Sequence, residues 1–186
     1  MARPRLHIGD KNYSSWSMRP WLALRHGGVD FEEVQHSLPE IGGKPAFGAV
    51  SPNDRVPALD VDGVTVAESL AICEWAAEQT PSLWPEDPLR RAQARAVACE
   101  MHAGFEAIRR DMSCNVRRRL ETQPDWPEDT REDLDRLFAL WGGLRARYGD
   151  EGEFLFGALD LGHDASVVVA ARSQREERGE KKWFHR

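Results

Sequence analysis

Three prolines within eight residues, Pro81, Pro85 and Pro88, divide a chain whose hydrophobic period changes across them. Proline removes a backbone N–H and pushes the residue before it out of helical conformation, so such a segment ends one folded unit and carries the chain to the next. Upstream, short strand-like runs alternate with amphipathic ones. Leu6 and Ile8 mark a first strand ended by Gly9, and Trp21, Leu22 and Leu24 fall on a helix over 17–25 stopped by Gly27-Gly28. Residues 31–35 read as a second strand, followed by a connection carrying Pro39, Gly42, Gly43, Pro45 and Gly48. Two β-rich runs, 58–61 and 64–66, flank Asp62-Gly63, a strong hairpin signal. Glu68-Ser69 then opens an apolar helical run through Leu70, Ile72, Cys73, Trp75 and Ala76, with Ser69 expected as its cap and Glu68 beside the positive end of its dipole. The order is β-α-β-loop-β-β-α, an α/β layered unit over residues 1–80.

Downstream the strand signals stop. Residues 89–120 read as one long helix, with Val97, Met101, Phe105, Ile108 and Met112 on its apolar stripe. A second helix is expected over 128–148, turning Leu134, Leu137, Phe138, Leu140, Trp141 and Leu144 inward; its acidic start and basic end suit the helix dipole. Residues 88–172 therefore form an all-α unit.

The charge balance narrows the partners. A net charge of −6, with basic residues dispersed among acidic ones, argues against nucleic acid, which needs concentrated positive charge. No apolar run approaches membrane-spanning length and no signal-peptide core follows Met1, so the expectation is a cytoplasmic protein without a membrane partner. Cys73, Cys99 and Cys114 are odd in number and form no CxxC pair, which leaves a metal or dithiol site unsupported. Cys73 and Cys99, set among alanines, read as small buried apolar residues.

Three motifs in order carry a family resemblance. Asn12-Tyr13-Ser14-Ser15-Trp16-Ser17-Met18-Arg19-Pro20-Trp21 looks like the serine-rich turn and first helix of zeta-like glutathione transferases. Asn53-Asp54-Arg55-Val56-Pro57-Ala58-Leu59 is similar to the family's valine–cis-proline loop, and Glu68-Ser69-Leu70-Ala71-Ile72 resembles its Glu/Gln-Ser-Leu-Ala-Ile signature. Over residues 5–157 the chain resembles the cytosolic glutathione S-transferases. The resemblance implies a thioredoxin-like N-terminal domain, an all-helical C-terminal domain, glutathione as co-substrate and a homodimer.

Each motif then has a chemical reading. Glutathione chemistry needs a thiolate, and a free thiol has a pKa of about 8.5, so a positioned donor must lower it. A serine hydroxyl at a helix N-terminus supplies a hydrogen bond within a favourable dipole field. By analogy with the Ser-Ser-Cys of zeta enzymes, Ser14 is the first candidate and Ser15 the second, ahead of Tyr13 and Ser17, and one of the serines serves as an N-cap. Val56-Pro57, with a cis bond, would present the Val56 backbone to the cysteinyl part of glutathione. Glu68 would pair with the γ-glutamyl ammonium and Ser69 with its carboxylate; Arg55 and Lys44 would meet the glycine carboxylate. Residues 111–116, taken as mid-helix, are a candidate lining for the electrophile. Trp16 stands where zeta isomerases carry cysteine, so the expected activity is transfer of glutathione to a small electrophile. Maleylacetoacetate-type isomerisation and a degenerate glutathione-binding module remain as alternatives.

Beyond Gly157 the resemblance fades. The family's Ser-Ile-Ala-Asp is replaced by Ala158-Leu159-Asp160-Leu161-Gly162-His163-Asp164, and residues 173–186 are densely charged. The expectation for this end is a truncated or frame-altered, partly disordered tail past about residue 172.

Overall fold

The computed structural model describes residues 2–37, 47–118, 124–156 and 161. Strand β1 (Arg5–Ile8) leads into helix α1 (Ser15–His26), and β2 (Glu32–Gln35) returns parallel to β1. Strands β3 (Ala58–Val61) and β4 (Val64–Val66) form the hairpin, and α2 (Ser69–Gln79) follows. The sheet order is β2-β1-β3-β4, with β3 antiparallel to both neighbours. At the hairpin Asp62 (φ 50°) and Gly63 (φ 81°) both adopt the left-handed conformation that a two-residue turn between twisted strands requires. Leu6 lies opposite Leu59, and both are fully buried. With Ile8, Ala23, Leu24, Ile72 and Ala76 they form the core between the sheet and α1 and α2.

A short 3₁₀ turn (Pro81–Leu83) crosses the proline-rich segment, and its Leu83 joins the core. The all-α unit departs from the expected single helix over 89–120. Helix α3 (Pro88–Ala103) ends at Gly104, Phe105 takes a left-handed conformation (φ 60°), and a separate α4 runs Glu106–Asp111. Two long-range contacts hold this break. The Asp133 carboxylate accepts from the backbone N–H groups of Ala107 (3.1 Å) and Ile108 (3.3 Å), capping α4, while Arg109 donates back to the carbonyls of Gly104 (3.0 Å) and Met101 at the end of α3. Residues 112–116 are consequently outside any helix.

Helix α5 (Glu128–Tyr148) has the expected bounds, burying Leu137, Trp141 and Leu144; Phe138 instead is 37% exposed. Cys99, expected inside, is exposed. One continuous apolar cluster joins Leu6 and Leu59 of the sheet to Val97, Met101, Ile108 and Leu137 of the helices. At about 1.5–3 kcal/mol for each large side chain fully buried, this shared core binds the two units. The tail over 173–186, most of the 157–172 segment and Lys44 lie outside the described residues.

Candidate functional site

The register brings three loops to one end of the sheet. His7 of β1 pairs with Ala58 of β3, so the turn leaving β1 lies beside Val56-Pro57, which enters β3. Leu59 pairs with Val66, so the exit of β4 toward Glu68-Ser69 lies at the same end.

The first loop ends in the serines. The Asp10 carbonyl accepts from the N–H groups of Tyr13 (3.1 Å) and Ser14 (2.8 Å), winding the chain into α1. Ser14 is the N-cap: its hydroxyl accepts from the Ser17 N–H (3.3 Å) and donates to the Ser17 hydroxyl (2.8 Å), which itself accepts from Gly9 N–H (3.0 Å). Ser15, the first residue of α1, is half-buried, and among the described residues its hydroxyl has no hydrogen-bond partner. Tyr13 points outward, 54% exposed, and Ser17 is buried.

The second loop holds Val56-Pro57, whose peptide bond is cis. The Asn53 carboxamide ties it to the third loop by donating to the Ala67 carbonyl (2.6 Å) and accepting from Arg55 N–H (3.1 Å); the Arg55 side chain is exposed. In the third loop Glu68, not Ser69, caps α2. Its carboxylate accepts from the N–H groups of Leu70 (2.8 Å) and Ala71 (3.0 Å), and the buried Ser69 hydroxyl donates to its other oxygen (3.0 Å). Serine is the commoner cap, but the longer glutamate arm reaches back from outside the helix, leaving Ser69 at its first position.

The comparisons with known proteins fall on these elements. Residues 13–79 match the family model of the glutathione S-transferase N-terminal domain, a span running from the residue before Ser14 to the last residue of α2. Residues 13–79 thus carry the glutathione S-transferase N-terminal domain. The chain is 33% identical over 132 residues to the maleylacetoacetate isomerase of Mus musculus, covering 68% of this chain and 60% of that one. It is 39% identical over 108 residues to the maleylacetoacetate isomerase of Pseudomonas aeruginosa, covering 53% and 50%. The chain thus spans half to three fifths of the length of these relatives. In fold it resembles a glutathione transferase homolog from Burkholderia gl BGR1 solved with bound glutathione, at 22% identity and a TM-score of 0.70, covering 94% of this chain and 84% of that one.

The helical unit also reaches the serine loop. Asn12, 8% exposed, donates from its amide to the Asn115 side chain (2.9 Å), accepts from Arg117 N–H (2.9 Å), and accepts from Val116 N–H at its own carbonyl (3.1 Å). The candidate lining over 111–116 thus acts here as a strap on the loop that carries Ser14.

Three basic side chains surround Trp16. The Arg19 guanidinium lies 4.3 Å and that of Arg109 4.7 Å from the indole centroid, and His102 of α3 meets the ring edge-on at 5.3 Å. Burial, and secondarily the charge of Arg109, push the Arg19 pKa down to about 10, against the opposing pull of Cys73 and Glu68. Asn12, Arg19, His102 and Arg109 were not singled out from sequence. The one legible signal was Arg19, a charge on the otherwise apolar face of α1. Two open concavities, of about 360 Å³ beside Arg3 and Trp75 and about 400 Å³ beside Arg90 and Tyr148, involve none of these residues.

Proposed function

We propose that the chain binds glutathione across the three loops and transfers its thiol to a small electrophile. Val56 offers its backbone to the cysteinyl part, Glu68 its carboxylate to the γ-glutamyl ammonium, and Ser69 its hydroxyl and N–H to the γ-glutamyl carboxylate. Arg55 and Lys44 are assigned to the glycine carboxylate. The reading rests on one observation: a serine pair at the N-terminus of α1 shares a sheet end with the Val56-Pro57 turn and the N-terminus of α2. Within the pair, the Ser14 hydroxyl already donates to Ser17, whereas that of Ser15 is uncommitted among the described residues. Ser15 is therefore the thiol partner. A hydrogen bond to a charged acceptor contributes about 1.5–3 kcal/mol, equivalent to lowering the thiol pKa by roughly one to two units. The thiolate then forms a C–S bond to the electrophile and a leaving group departs, or a proton is taken up.

A homodimer is part of this reading, as in the family. Among the described residues no helix is long and apolar enough to cross a membrane. The names of the relatives favour a second activity, glutathione-dependent cis–trans isomerisation, in which the thiolate adds to a double bond and leaves again after rotation.

The test is glutathione titration with turnover on an aryl halide and on a maleyl substrate, for the wild type, Ser14→Ala and Ser15→Ala. Ser15→Ala is expected to retain glutathione and lose roughly tenfold or more in kcat. Unchanged turnover in both variants overturns the serine mechanism. Failure of the wild type to bind glutathione overturns the function.

A further inference from the structure

Glu33 places an acid at a core-facing position. It pairs with Leu6 in the register of β1 and β2, so its side chain leaves the sheet on the face covered by α1 and α2. Only 22% of that side chain is exposed. Its two oxygens hold two elements: Oε1 meets the Lys11 ammonium at 2.6 Å, and Oε2 accepts from the Trp21 indole N–H at 2.6 Å. Burial opposes its ionisation, but the hydrogen bonds from Lys11 and Trp21 and the charges of Lys11 and Arg25 outweigh burial and hold the carboxyl below its usual range. Lys11 lies in the turn that leaves β1 and Trp21 in the body of α1, so the serine pair falls between the two residues that Glu33 holds. The Lys11 ammonium and the Arg25 guanidinium also lie 6.0 and 5.4 Å from the Trp21 ring centroid. The next loop residue, Asn12, is held instead by the helical unit, through Asn115 and Arg117.

We infer that Glu33 is a positioning residue for Ser15: through Lys11 and Trp21 it sets where the serine hydroxyl stands against the glutathione thiol. The inference rests on the glutathione-transfer reading and deepens it. Glu33 acts on the stretch of chain that carries the hydroxyl, not on the thiol itself. Magnitudes separate this role from a stabilising one. Lys11 is 56% exposed, and an ion pair in that setting adds little to stability. Geometry at the reacting atoms is less forgiving, since a misplacement of about 1 Å caused from a distance lowers a rate by up to about 100-fold. Loss of the Glu33 contacts therefore falls on the chemistry more than on the fold.

The experiment uses the full chain with glutathione, following the ultraviolet absorbance of the bound thiolate against pH together with turnover on an aryl halide. Glu33→Gln keeps an acceptor for the Trp21 N–H and loses the charge facing Lys11; Lys11→Met removes the other partner. In both variants the pKa of the bound thiol should rise by roughly one unit, with the glutathione Kd changed less than about twofold. Turnover at about pH 7 should fall roughly tenfold and return toward the wild type as the pH passes the raised value. Lys11→Arg should restore wild-type behaviour, because its guanidinium still pairs with Glu33. Glu33→Gln should add little in the Lys11→Met background, and Tm should fall by no more than roughly 4 °C. A fall in Tm or turnover with the thiol pKa unmoved leaves Glu33 a structural residue and overturns the inference, as does full additivity of the two substitutions. A wild type that develops no thiolate absorbance with glutathione overturns the transfer reading and the inference with it. A normal wild-type titration with unshifted variants overturns the inference alone.

Discussion

Replacing Asn12 with alanine removes the two side-chain hydrogen bonds that strap the serine loop to residues 115–117. Each net intramolecular bond contributes about 1 kcal/mol, and the Arg117 N–H and Asn115 carboxamide lose partners at a site where Asn12 is almost fully buried. The expected loss is about 2 kcal/mol, or a fall in Tm of roughly 4–8 °C for a chain of this size. The contact is not abolished, because Val116 N–H still donates to the backbone carbonyl of residue 12. Urea unfolding followed by tryptophan fluorescence reads the change, and a cycle with Asn115→Ala isolates the shared term. The cycle should show a coupling of about 0.5–1 kcal/mol, since the two amides bond directly at 2.9 Å. Asn12→Asp separates the two roles: the carboxylate still accepts from Arg117 N–H but no longer donates to Asn115. A loss under about 0.5 kcal/mol, together with strict additivity, would refute the strap.

Asp133→Ala should destabilise by about 1–2 kcal/mol, the value of an N-cap whose charge also meets a helix dipole. A urea midpoint equal to that of the wild type would show that the break between α3 and α4 does not need this carboxylate. His7 contributes to the pH dependence, as does His26, whose pKa burial also lowers. Burial, the neighbouring His36 and Arg5 hold its folded pKa below 6.5, with Asp60 and Glu32 pulling weakly the other way. The unfolded chain therefore takes up the proton first. Stability from the neutral ring is complete above about pH 6.5 and is lost as pH falls below it toward the folded pKa. Unfolding midpoints measured between about pH 7 and pH 5 should fall for the wild type and fall less steeply in His7→Gln; parallel slopes would remove His7 as a cause.

Features carried by local chemistry were legible. Asp62-Gly63 fixed the hairpin because that dipeptide tolerates positive φ at both central positions, as found. Helix α5 kept its bounds because its acidic start and basic end lie within its own sequence. The break at Gly104-Phe105 was not legible, since apolar residues continue at helical spacing through Ile108 and Met112. What stops the helix comes from elsewhere: the Asp133 carboxylate on α5 and the reach of Arg109 back across the turn. Periodicity records which face is apolar, not whether a distant side chain will cap a new helix midway. The cluster around Trp16 was hidden for the same reason, because its members come from three helices.

The exchange of roles between Glu68 and Ser69 bears directly on ligand choice. The Glu68 carboxylate occupies the N–H groups of Leu70 and Ala71, the donors that a ligand carboxylate at this helix end would use. On the proposed reading, a ligand bearing only a carboxylate must compete with a charge already there and also meets its repulsion. A γ-glutamyl terminus carries an ammonium as well. That ammonium attracts Glu68 away from the helix end, and the carboxylate two bonds from it takes up the released N–H groups. The number of charge-assisted hydrogen bonds is conserved and a cation is paired in addition, so the exchange favours an α-amino acid terminus over a simple acid.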